Sequence, residues 1–157
     1  MKIIYFATGF YSSPLKQREK QLIGRREIVA FPDLGMSGIE AKIDTGAYTT
    51  ALHCHDIKVV NNVLHFKLLS PEHPEYNKKD ILFKEFGKKD IKNSFGDVEE
   101  RYVIKTRIKI GVRIIKSVIS LTDRGNMRYA VLIGRKLLKN RFIVDVSEIN
   151  LMERRKE

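Results

Sequence analysis

Among the residues that could do chemistry, Asp44-Thr45-Gly46 stands first. The stretch before it, Ile39-Glu40-Ala41-Lys42-Ile43, alternates apolar and polar with the period of a half-buried strand. An aspartate at the end of such a strand, with glycine two residues on, enters a tight turn that exposes its carboxylate. A carboxylate held there is a general base for a water molecule. Two such carboxylates within hydrogen-bond reach cannot both ionise. One then activates water while the other keeps a proton and polarises the carbonyl under attack. The sequence holds a single Asp-Thr-Gly and no Asp-Ser-Gly. A paired site therefore requires a second copy of the chain across a two-fold axis. In that arrangement Gly46 would let a substrate backbone approach.

The elements that must position Asp44 read as strands. Glu27-Ile28-Val29-Ala30-Phe31 stops at Pro32, a turn follows over residues 33–38, and the strand leading to Asp44 completes a hairpin. Further strands are expected over 63–69, 81–86, 100–110, 113–121, 129–133 and 142–146. In the third of these, Ile104, Thr106, Ile108 and Ile110 share one face, and Lys105, Arg107 and Lys109 the other. Gly111-Val112 suits the turn between two of them. Residues 70–79, with Pro71, Pro74 and Asn77, read as a loop, and 134–140 as a short helix. Residues 15–22 have the composition of a short polar helix. Many short strands and one late helix predict an all-β fold. The chain of 157 residues suits one domain: an N-terminal extension over 1–22, the domain over 23–150, and a basic tail over 151–157.

At Asp44-Thr45-Gly46-Ala47, and much later at Leu132-Ile133-Gly134-Arg135 with its short helix, the chain resembles the retropepsin-like aspartic proteases. It is most similar to a bacterial retropepsin-like family named for ATP-dependent zinc proteases. That resemblance runs through Ile23-Gly24-Arg25-Arg26-Glu27, Ala51-Leu52-His53, Glu100-Arg101 and Phe142-x-Val144-Asp145. It departs at Ser94-Phe95-Gly96, where the family has Ser-Asn-Gly, and in the N-terminal extension. The resemblance implies a closed acid-protease barrel, a homodimer, and Asp44, Thr45 and Gly46 as the catalytic turn. It implies a flap hairpin over 83–103, with Ala47, Ser94, Gly96 and Arg101 on the substrate side. Gly134 and Arg135 would brace the catalytic turn or the dimer contact. Family members resemble partners of ATP-grasp ligases that add amino acids to proteins, which points to an acidic, glutamate-rich peptide or isopeptide. Arg101 and Arg25 are the expected anchors for its carboxylates.

Composition sets the rival readings. Net charge is +11, from 30 Lys and Arg against 19 Asp and Glu. That suits acidic peptides, nucleic acid or an anionic surface alike. Lys105, Arg107 and Lys109 could track phosphates, although a solvated face explains them equally simply, so nucleic acid is not the expected partner. A silent peptide-binding barrel is a further alternative. His53-Cys54-His55, with His65 and His73, lacks the spacing of a zinc motif, and no Gly-x-x-x-x-Gly-Lys loop is present. Neither metal nor cofactor is expected, despite the family's label. Ser94 has no nucleophile-elbow pattern around it. A lone cysteine, Cys54, fits a reducing compartment. The apolar start over 3–10 lacks a cleavage site and no run is long enough to span a bilayer, so a cytoplasmic location without membrane contact is expected.

Overall fold

The computed structural model describes residues 18–93, 95–123 and 128–155. Among these residues, eleven strands carry most of the fold. In chain order these are β1 (Gln21–Gly24), β2 (Arg26–Phe31), β3 (Met36–Ile43), β4 (Thr50–Val60), β5 (Val63–Leu68), β6 (Asp80–Phe83), β7 (Phe86–Lys92), β8 (Val98–Ile110), β9 (Arg113–Thr122), β10 (Val131–Ile133) and β11 (Phe142–Asp145). Two one-turn helices follow late, α1 (Arg135–Leu138) and α2 (Leu151–Arg154).

The strands β10, β3, β2, β8, β9 and β4 are hydrogen-bonded in that order, and β4 pairs back onto β10. This closes a six-stranded barrel, the retropepsin-like architecture expected from the sequence. The alternation along β8 appears as predicted: Ile104, Thr106, Ile108 and Ile110 are buried, while Lys105, Arg107 and Lys109 are exposed. Phe31, Ile39, Leu52, Ile108, Ile119 and Val131 fill the interior from different strands. The Gly111-Val112 turn joins β8 to β9, with Gly111 at φ +58°.

Two strands outgrow the barrel. The second half of β4 leaves it to pair with β5, which pairs with β6, as a smaller antiparallel layer. The first half of β8 extends past the end of β9 and pairs with β7 over Phe86–Lys92. This gives the projecting hairpin expected over 83–103. Its turn is built on Asn93, whose Oδ1 accepts from the main-chain N–H groups of Phe95 and Asp97 at 2.9 Å each.

Three local readings change. Leu22 lies in β1, not in a polar helix, because the strand pairs in parallel with β11 through Gln21↔Phe142 to Gly24↔Asp145. The long strand β4 was not legible as one element, since Thr50–Cys54 is buried continuously and only then does the pattern alternate. A second helix, α2, opens the segment read as a basic tail. Glu27 is the reason: its buried carboxylate accepts from Gly24 N at 2.8 Å, Leu151 N at 3.0 Å and Met152 N at 3.2 Å. The charge satisfies N–H groups that a helix start leaves unpaired. Met152 then packs onto the Gly111 turn, where a Cβ would meet its Sδ at 2.6 Å.

Candidate active site

Asp44 follows the last residue of β3, and three neighbours fix where it sits. Its main-chain N–H donates to Ile133 O of β10 at 2.9 Å. Its Oδ1 accepts from Gly46 N at 3.1 Å, and its carbonyl from Ala47 N at 3.2 Å. The turn is thus closed on itself while Asp44 stays half-buried and Thr45 and Gly46 are exposed.

The start of α1 clamps this turn from behind. Arg135 N donates to Ala47 O at 2.8 Å, and Lys136 N to Tyr48 O at 3.0 Å. Those N–H groups have no partner inside a helix start, so the turn's carbonyls complete them. Gly134 N donates to the buried Thr50 hydroxyl at 3.2 Å. A Cβ on Gly134 would lie 2.7 Å from both Tyr48 O and Thr49 C, so glycine is required by the close approach of two backbones. Arg135 Nη1 donates to Thr45 O at 2.9 Å, and its guanidinium lies over the Tyr48 ring. Gly134 and Arg135 thus both lie against the Asp44 turn.

A cleft of about 470 Å³ opens over Asp44, Gly46 and Ala47. Its far wall is the projecting hairpin, through Asp90, Ile91, Lys92, Asn93 and Arg101. Arg101, expected from the sequence, is therefore brought together with Asp44. Gly96 is at the hairpin tip, at φ +91°, and does not line the cleft. Ser94 lies outside the described residues. Arg25 is elsewhere: its Nη1 donates to the carbonyls of Val146 and Ser147 at 3.0 and 3.3 Å, so it is no part of this cleft. Lys92 and Asp90 were missed by sequence reasoning. The register that places them opposite Val98 and Glu100 identifies them, and no motif does.

A second hollow lies on the outer side of the turn. Tyr48, Leu138, Phe142 and Val144 line it together with Thr45 and the cationic Arg135, Lys136 and Lys139. The Tyr48 ring, 62% exposed, is the apolar surface beside the Asp44 turn.

The residues that invited a metal reading are occupied otherwise. His53 Nε2 shares a hydrogen bond of 2.5 Å with Ser70 Oγ, and His55 Nδ1 donates to Leu69 O at 2.6 Å. They fasten the 70–79 loop to β4. Among the described residues, no three His, Cys, Asp or Glu side chains converge. The donor set does not fit the zinc of the family's label. Cys54 is buried, and burial pushes its thiol up to about 12. No helix among the described residues is long and apolar enough to cross a membrane.

Comparisons with known proteins agree with this geometry. Residues 22–155 match the family model described as RimB-like, retropepsin-like aspartic endopeptidase RimB. A protein named as a probable alpha-L-glutamate ligase from Shewanella halifaxensis is 35% identical over 133 residues, which is 82% of this chain and 29% of that protein. One of the same name from Desulfotalea psychrophila is 30% identical over 130 residues, 80% of this chain and 28% of that protein. The chain thus spans under a third of the length of these curated relatives. The crystal structure of Lpg0085 from Legionella pneumophila, a protein of unknown function, superposes with a TM-score of 0.66 at 23% identity, over 85% of this chain and 99% of that one. That likeness concerns the fold. By its matched span, its barrel and its braced Asp-Thr-Gly turn, the chain belongs to the RimB-like family of retropepsin-like aspartic endopeptidases.

Proposed function

We propose that this protein is an aspartic peptidase whose site forms when two copies bring their Asp44 carboxylates together. The observation that carries the reading is the half-site itself. Asp44 and Gly46 line a cleft, the turn is braced from behind, and Thr45, Gly46 and the Tyr48 ring are exposed beside it. A second copy seated on that side covers the Tyr48 ring and supplies the missing carboxylate.

The chemistry follows the pattern of aspartic proteases as a class. The pair shares one proton. The ionised Asp44 takes a proton from water as the oxygen attacks the peptide carbonyl, and the protonated Asp44 hydrogen-bonds the carbonyl oxygen as charge develops on it; the proton taken from water then passes to the peptide nitrogen as the C–N bond breaks and the amine leaves. The β7–β8 hairpin is the flap. Phe95 at its tip is 91% exposed, an apolar side chain that closure over a peptide would bury.

The substrate is an acidic peptide or isopeptide. Lys92, Arg101 and Arg135 line the cleft, and the net charge of +11 draws anionic chains to it. The relatives named as glutamate ligases suggest the bond: one joining glutamates that such a ligase has added. An oligoglutamate peptide incubated with the protein should yield shorter fragments by mass spectrometry, and Asp44→Asn should not release them. Equal fragmentation by a clean preparation of that variant rejects the mechanism.

A further inference from the structure

Arg101 and Glu99 stand on the same face of β8, two residues apart, in unequal surroundings. The Arg101 side chain is 4% exposed and lines the cleft, whereas Glu99 is 56% exposed and does not line it. Arg101 Nε and Nη2 both donate to one oxygen, Glu99 Oε2, at 2.9 and 2.7 Å. Among the described residues this is the only acceptor the guanidinium has.

A guanidinium cannot discharge by losing its proton, so a desolvated one needs an anion. Glu99 supplies that anion in the free protein. The pair is asymmetric in what separation would do. Glu99 already has most of its surface in water and can rotate outward with little loss of hydration. Arg101 is buried in the hairpin's own cleft wall and stays with it. A carboxylate entering the cleft therefore meets a fixed cationic fork whose present partner is replaceable, and the fork binds carboxylates bidentately.

We propose that Glu99 is an internal stand-in for a substrate carboxylate, which an acidic side chain of the bound peptide displaces into solvent. Arg101 then selects an acidic residue at one position of the peptide, and Glu99 sets the affinity threshold by competing for it. Neutral peptides leave the pair intact and gain nothing from it. This inference rests on the cleft being the peptide site.

The test reads binding, so it does not depend on turnover. Dye-labelled oligoglutamate and oligoglutamine peptides are titrated by fluorescence anisotropy into Asp44→Asn protein, alone and with Glu99→Gln, Arg101→Gln or both. Glu99→Gln should tighten oligoglutamate about tenfold and leave oligoglutamine unchanged. Arg101→Gln should weaken oligoglutamate, and Glu99→Gln should add nothing on top of it. Glu99→Asp keeps the charge on a shorter arm and should fall between wild type and Glu99→Gln, which separates competition from loss of folding. Unchanged or weaker oligoglutamate binding in both folded Glu99 variants overturns the inference, as does no binding of that peptide at all. If Asp44→Asn stops hydrolysis while the Glu99 variants bind as wild type does, the peptidase reading stands and this inference alone fails.

Discussion

The carboxylate of Asp44 has two jobs that a single substitution separates. Its Oδ1 accepts from Gly46 N and closes the turn, which the amide oxygen of asparagine also does. Its charge activates water, which the amide does not. Asp44→Asn should therefore melt within a degree or two of wild type, while peptide hydrolysis falls by roughly 100-fold or more. The cleft's other carboxylate, Asp90, belongs to β7 and the flap, so Asp90→Asn should keep most of the turnover. Outside the cleft, Asp33 is held at about 2, below its ordinary 3.8, by hydrogen bonds from the Arg107 side chain and main-chain N–H. A depressed carboxylate stabilises the fold above its ordinary value, and that contribution fades as pH falls through the folded one. Melting temperature followed down the acid limb should thus fall less steeply for Asp33→Asn than for wild type.

At the scale of elements, what the sequence made legible divides by how local the cause is. The hairpin leading to Asp44, the alternation of β8 and the Gly111 turn depend on near neighbours, and the period of two reports them. The brace behind Asp44 was legible as Gly134-Arg135 through resemblance, but not its reason, which is a backbone approach between residues 48–49 and 134. Glu27 looked like any charged strand residue. Only the return of the chain at 151 shows why it is buried, and the register of β7 against β8 likewise had to be seen to place Lys92 and Asp90. Two outcomes follow for these elements. Gly134→Ala should shift the 47–49 carbonyls and lose hydrolysis beyond its effect on stability, read as activity per folded molecule. Glu27→Ala strands three N–H groups and should cost about 3 kcal/mol in denaturant unfolding, with proteolytic nicking appearing at residues 151–155.

For the whole molecule, the proposed chemistry needs two copies sharing one site. The exposed Tyr48 ring beside Thr45 is where the second copy would sit, so Tyr48→Lys should favour monomers in sedimentation and reduce turnover with them. Sharing is tested most directly by mixing subunits. Wild-type protein is unfolded and refolded with increasing fractions of Asp44→Asn, and peptide hydrolysis is measured at constant total protein. If each site needs both Asp44 carboxylates, only pairs of wild-type subunits work, and activity should fall as the square of the wild-type fraction. A straight-line fall would mean that one Asp44 suffices within a single chain, and would contradict the shared site.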